Sequence, residues 1–289
     1  MIVTLLDITI GGLLTGGIYA LTAVGLNLQY GVARVLNIAH GEFIMLGAFA
    51  TYSLYTLFGI NPLISLAIGG PIVFIMGFLI HNTLFQYLRS SSESMGAFEG
   101  RSLLASFGLL FIIQNVALLS WGPEIKGYTY LAEPVNILGT IFAANRLVAL
   151  LFAVAIGLAF YLFLVRTRLG KAIRAAAQDP ETAQLMGINI HRVLGLCFGL
   201  GALMAGLAGS LISMMFEITP HMGLPYTVIA LIVVVLGGLG SIPGSFIGGL
   251  ILGLIGSIVT YIDPGLSLVA YYMIFILLLL VKPTGILGK

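Results

Sequence analysis

The chain has 289 residues, 60% of them hydrophobic and 8% charged, with a formal net charge of +2. An ordinary soluble domain carries about a quarter charged residues, and a soluble fold of this length cannot keep so much apolar side chain away from water. These values exclude a soluble enzyme, a nucleic-acid binder and a disordered protein, and they leave an all-α, polytopic membrane bundle.

A hydrocarbon core about 30 Å thick takes about 20 apolar residues as a helix. Breaking the apolar runs at charges, Gly/Pro clusters and polar loops predicts about nine spans, eight to ten, in one transmembrane domain over residues 1–289. The first, 8–30, follows no basic segment and no evident cleavage site, so it reads as a retained helix and not a signal peptide. It carries Gly12 and Gly16 four apart, a small-residue stripe that marks a close helix contact. The second, 36–58, opens on Asn37-Ile38-Ala39-His40-Gly41-Glu42. As a helix, this run puts Asn37 and Gly41 on one face, with His40 nearly on it and Glu42 pointing elsewhere. Polar groups at this depth are costly and invite a functional assignment. Asn37, His40 and Glu42 suit either interhelical hydrogen bonding or the lining of a gate.

Spans three to five follow at 62–86, 103–121 and 147–165. Gln114 and Asn115, in the middle of the fourth, have the same two uses. Trp121, Tyr128 and Tyr130 suit an outer membrane interface. Between the fifth span and the sixth, at 192–214, lies RTRLGKAIRAAAQDPETAQLMGINIHR, Arg166–Arg192, whose core from 166 to 191 is punctuated as two short helices. Lys171–Gln178 is alanine-rich and follows Gly170. Asp179 can cap a second helix, Pro180 suits its first position, Glu181 favours its positive end and Gly187 supplies a left-handed stop. Ala183, Leu185, Met186 and Ile188 would offer apolar surface. The segment is either a loop that only fixes topology or a docking element for a cytoplasmic partner. The single cysteine, Cys197, sits in span six as plain packing, beside a stripe of Gly195 and Gly199.

Glu217, Thr219 and His221 precede the seventh span, 225–240, as a solvated loop, an outer gate or a contact for a delivery protein. That span is short and glycine-flanked. Spans eight and nine are 243–261 and 266–281. Gly240, Gly244 and Gly248 recur every four residues, as do Gly249 and Gly253. They mark helix packing, or else unwound backbone near Gly237–Gly244 that lines a route for substrate. With the N-terminus outside, Arg34, Arg89, Arg101, Arg166, Arg168, Lys171, Arg174, Arg192, Lys282 and Lys289 fall inside. Only Lys126 and Arg146 fall outside, so positive charge favours N-out, C-in.

The sequence lacks a phosphate loop: Gly170-Lys171 is followed by Ala172 and has no upstream glycine. Gly237-Gly238-Leu239-Gly240-Ser241-Ile242-Pro243 has proline where a dinucleotide fingerprint needs glycine. His40, His81, His191 and His221 show no metal-ligand spacing, and no catalytic triad is visible. A gradient-driven transporter should carry paired intramembrane carboxylates, yet only Glu42 lies within a span, with Asp7 and Asp263 near span ends.

Four stretches, VLNIAHGEF, RLGKAIRAAAQDPETAQLMGIN, VVLGGLGSIPGSFIGGLILG and the terminal KPTGILGK, resemble the branched-chain amino acid ABC importer permeases of the LivH type. The resemblance covers nearly the whole chain and is weakest across 89–146. It implies a type II importer-like permease of the bacterial inner membrane, with helices in a pseudo-symmetric inverted arrangement around a central path. It implies a non-catalytic transport subunit that binds no cofactor itself, with ATP and magnesium on partner chains. The partners would be a second, LivM-like permease, two cytoplasmic ATPases and a periplasmic solute-binding protein. The 166–191 loop would then be the coupling element. Gly170, Arg174, Ala175, Asp179, Ala183, Gly187, Ile188 and Asn189 match the family pattern, and Pro180 and Met186 join them as docking candidates. Gln178 departs from an acidic residue common at its position, which bears on which ATPase is accepted. Asn37, His40, Glu42, Gln114, Asn115, Gly237 and Gly240 are the pathway candidates, and Glu217 and His221 the binding-protein contacts. A zwitterionic amino acid would be met by helix termini and side-chain amides without a buried full ion. Related permeases also serve urea, short amides and aromatic acids, so the substrate stays open among these.

Overall fold

A computed structural model of the protein describes residues 2–137, 139–282 and 284–288. Lys289, counted above with the inner charges, and Pro283, in the terminal motif, lie outside the described residues. The long helices are α1 (Ile2–Ala33), α2 (His40–Phe58), α3 (Pro62–Ile80), which runs on through a π turn (His81–Phe85) into α4 (Gln86–Ser90), and α5 (Met95–Trp121). A hairpin, β1 (Pro134–Ile137) and β2 (Thr140–Ala143), leads to α6 (Ala144–Arg166). Then come the short α7 (Arg168–Gln178) and α8 (Pro180–Leu185), followed by α9 (Ile190–Ser213), α10 (Gly223–Gly237), α11 (Ile242–Ile262) and α12 (Ser267–Val281).

Each of the nine expected spans coincides with a helix. Among the described residues, seven helical stretches are long and apolar enough to cross a membrane. The two that fall short have separate reasons. At 15 residues, α10 rises about 22 Å, less than a hydrocarbon core. The other, α2, carries His40, Glu42, Thr51 and Ser53, and its first half is buried among other helices, so it needs no continuous apolar exterior. Two expectations are corrected. The chain is not wholly α-helical: β1 and β2 pair antiparallel, Pro134 opposite Ala143 and Ile137 opposite Thr140. Asn37 does not share a helical face with Gly41, because α2 begins only at His40 and residues 34–39 form the turn that reverses the chain after α1. Arg34 enters that turn in the left-handed region, φ +56°.

The centre of the bundle is α1, which packs against α6, α9, α10 and α11. Its partnership with α11 rests on the predicted stripes. A Cβ on Gly12 would lie 2.7 Å from the Leu254 Cα, and one on Gly16 would lie 2.9 Å from the Leu250 Cα. Gly249 and Gly253 return the fit against Ala20 and Gly16. Backbones this close gain dispersion contacts that lipid cannot supply. Gly195 and Gly199 likewise accept the rings of Phe78 and Phe74 from α3. Cys197 is buried, as a small packing residue.

Candidate functional sites

The loop between α6 and α9 is the best-defined feature outside the bundle. Thr167 caps α7 by accepting the Gly170 N–H at 3.0 Å. Gly170 is held against the backbone of Phe163 and Leu164, where a Cβ would not fit, so α7 folds tightly back on the end of α6. Asp179 caps α8: its Oδ1 accepts from the Glu181 and Thr182 N–H groups at 3.0 and 3.1 Å. The Thr182 hydroxyl donates to Asp179 Oδ2. That hydroxyl, with the same backbone N–H groups, holds the Asp179 carboxyl below its ordinary range. Pro180 takes the first helical position, Gly187 adopts φ +83°, and Asn189 caps α9 through the Arg192 N–H at 3.1 Å. The inner face of α7, Ile173 and Ala176, is buried, and α7 touches α1, α6 and α9. Arg174 reaches the Val165 carbonyl at 3.4 Å. The four apolar candidates divide. Ala183 is buried and Ile188 half-buried, whereas Leu185 and Met186 stand 87% and 80% exposed.

The pathway candidates do not converge on one point. Asn37 and His40 meet at Gln29 of α1. The Gln29 amide donates to the Phe198 carbonyl at 3.1 Å, which aims its Oε1 at Asn37 Nδ2, 2.9 Å, and at His40 Nδ1, 3.2 Å. His40 Nε2 lies 3.0 Å from the Thr22 carbonyl. All three side chains are buried, so this hub ties α1, the following turn, α2 and α9 together. Glu42 faces away from it, fully buried against Gly223 at the start of α10, and neither carboxyl oxygen has a partner among the described residues. Beside it the Gly41 N–H donates to Thr227 Oγ1 at 2.7 Å, and that hydroxyl lies 3.0 Å from the Ile38 carbonyl. Gln114 lies instead at the far side, its Nε2 2.6 Å from His221 Nδ1. A pathway candidate and a delivery-protein candidate therefore touch each other. Asn115 turns back to its own helix, donating to the Phe111 carbonyl at 2.8 Å, and Glu217 is exposed.

Gly237 and Gly240 belong to a second hub, around Asn27. Its Nδ2 lies within hydrogen-bonding distance of the Gly238 and Ser241 carbonyls, at 3.2 and 3.0 Å, and of Ser245 Oγ, at 2.6 Å. Its Oδ1 accepts the Gly240 N–H at 2.6 Å. Gly238 and Gly240 take φ +104° and +81°, which only glycine does without strain. The terminal segment closes on the same place. Ile286 N–H donates to the Leu236 carbonyl at 2.8 Å and Leu287 N–H to that of Gly237 at 3.1 Å. Asn27 and Gln29 escaped the sequence analysis, although amides within an apolar run were the available signal.

At the opposite end, the three aromatics expected at an interface cross-link helix ends. Trp121 donates to Ser53 Oγ at 2.8 Å and stacks on Phe49 at 4.7 Å between centroids. Tyr130 donates to Asn61 Oδ1 at 3.0 Å. Tyr128 hydroxyl lies 2.9 Å from Ser213 Oγ, and burial pushes its phenol up to about 12. An antiparallel bridge joins Lys126 to Ile218.

Several apolar spans, glycine-packed interior helices and a capped two-helix element at one end define a multi-pass membrane protein. Residues 8–281 match the family described as branched-chain amino acid transport system, permease component, and the chain belongs to that family. It is 32% identical to the high-affinity branched-chain amino acid transport system permease protein LivH of Escherichia coli, over 96% of this chain and 94% of that protein. It is 32% identical to the permease protein BraD of Pseudomonas aeruginosa, over 97% and 94%. The fold is shared with the solved structure of PsaBC from Streptococcus pneumoniae in complex with Fab, at a TM-score of 0.50 and 13% identity, covering 95% of this chain and 91% of that one. The protein is thus the multi-pass, inner-membrane permease subunit of an ABC importer.

Proposed function

We propose that this subunit carries branched-chain amino acids inward through nine spans, N-terminus outside and C-terminus inside, and performs no chemistry itself. It works beside a second permease, receives substrate from a solute-binding protein, and is driven by two cytoplasmic ATPases that hold the ATP and magnesium. The α7–α8 element, with Gly170, Arg174, Asp179, Pro180, Ala183, Met186, Gly187, Ile188 and Asn189, seats on the ATPase. The observation that carries this is the pair Leu185–Met186, exposed side by side on a turn fixed by three side-chain caps and a left-handed glycine. Apolar side chains fixed in water suit insertion into a partner's groove. Since α7 touches α1, α6 and α9, a push on the element reaches the centre of the bundle. The hubs at Gln29 and Asn27 then hold the inner side shut, with Asn37, His40, Gly237 and Gly240 as their members. Glu42 marks the α2–α10 contact that must slide. Gln114, Asn115, Glu217 and His221 form the outer face offered to the binding protein.

Replacing Leu185 and Met186 together by aspartate tests the docking assignment. Membrane abundance should hold while co-purification of the ATPases and ATP-dependent uptake fall at least tenfold. Normal co-purification would overturn it.

A further inference from the structure

A cavity of about 740 Å³ opens between α1, β2, α6, α11 and α12, a size within the range of small-ligand sites. Asp7, Gly11, Thr15 and Tyr19 line it along α1, spaced by four residues each, so they form one continuous face. From Asp7 to Tyr19 that face descends about 18 Å. In the proposed orientation the cavity therefore runs from the outer surface toward the middle of the bilayer. It ends where the hydroxyls of Tyr19 and Tyr271 lie 3.5 Å apart with the rings edge to face, 6.1 Å between centroids. Beyond this floor a buried apolar cluster that includes Ala23, Leu26, Val233 and Leu236 separates it from the Asn27 hub.

Asp7 and Arg146 both line this cavity, and among the described residues neither forms an ion pair, with each other or with another charge. Two opposite charges share one recess without pairing. A molecule that carries both an ammonium and an anionic oxygen would offer each of these charges a partner. Thr15, Ser257 and Thr260 add hydroxyls below, and Ile8, Ile229 and Leu268 add apolar surface. Charges at the mouth with mixed polarity beneath suit a zwitterion that bears a modest apolar side chain. The placement differs from the sequence expectation, in which amides and helix ends alone met the substrate's charges.

We infer that the outer cavity is the site at which this permease receives a free zwitterionic amino acid, Asp7 taking the α-ammonium and Arg146 the α-carboxylate, with Tyr19 and Tyr271 as the floor that must part for passage. The inference rests on the amino-acid reading of the substrate above. A zwitterionic phospholipid headgroup offers the same pair of charges, so the test separates the two sources.

Radiolabelled leucine uptake is measured in cells whose own copy is replaced by Asp7→Asn or Arg146→Gln, at matched membrane abundance and matched ATPase co-purification. Each should lower uptake at least tenfold. In parallel, Ser257→Cys, with Thr260→Cys as a second reporter, is titrated with a water-soluble maleimide in the assembled transporter. The native Cys197 is buried and gives little background. Leucine should slow labelling at least threefold, and Asp7→Asn should abolish that protection. Normal uptake with both charge variants overturns the inference. So does labelling that leucine leaves unchanged but that phosphatidylethanolamine, in place of phosphatidylglycerol, slows. If the natural chain supports no leucine uptake at all, it is the substrate reading that fails.

Discussion

Glu42 is the residue whose surroundings are hardest to reconcile with mere structure. A carboxyl group fully buried and without a hydrogen-bond partner among the described residues is costly to the fold. Glu42→Gln removes the ionisable group at nearly constant shape. The thermal midpoint in detergent should stay level or rise, whereas transport should fall at least fivefold if the group acts at the sliding contact. A lower midpoint with unchanged transport would return Glu42 to a structural role. Gln29 contrasts with it, since its amide has a partner for each atom. Charged residues announce themselves in an apolar sequence, so Glu42 was legible there. Gln29 was not, because an amide inside a span looks the same whether it is paired or free.

Helices are held here by missing side chains. The crossing of α1 and α11 needs Gly16, whose Cβ would lie 2.9 Å from the Leu250 Cα. Gly16→Ala should therefore cost about 1–3 kcal/mol by overpacking. Gly108→Ala, in α5 with open space around it, should be neutral or stabilising by up to about 1 kcal/mol, because alanine is the better helix former. Thermal unfolding of the two variants side by side checks the contrast, and equal effects would show that the stripe is not a contact. The stripes themselves were legible as spacing, but which helices they join was not, since spacing carries no information about the partner. Capping chemistry was legible almost to the residue: Asp179, Pro180 and Gly187 act through atoms within a few positions of themselves. The start of α2 was misjudged because the left-handed Arg34 and the turn after it have no such local marker. The π turn at His81–Phe85 and the β1–β2 hairpin were invisible for the same reason: both depend on register.

At the scale of the molecule, every assignment of direction depends on sidedness. The ends of the bundle differ in kind. One carries α7, α8 and the Asn27 hub with the terminal segment folded on it. The other carries the aromatic cross-links, the hairpin, and the Asp7 and Arg146 mouth of the cavity. Lysine and arginine counts favour the first end as the cytoplasmic one, and the docking and reception proposals fail together if that is reversed. Cys197, the single cysteine, is buried, so new cysteines report on their own positions. In intact cells treated with a membrane-impermeant maleimide, Glu217→Cys should label and Met186→Cys should not. In inside-out vesicles from cells that lack the ATPases the pattern should invert. Both positions are exposed in the subunit itself, so without its partners accessibility depends on the side alone. Labelling of Met186→Cys from outside would reverse the orientation and move the ATPases to the other end of the bundle.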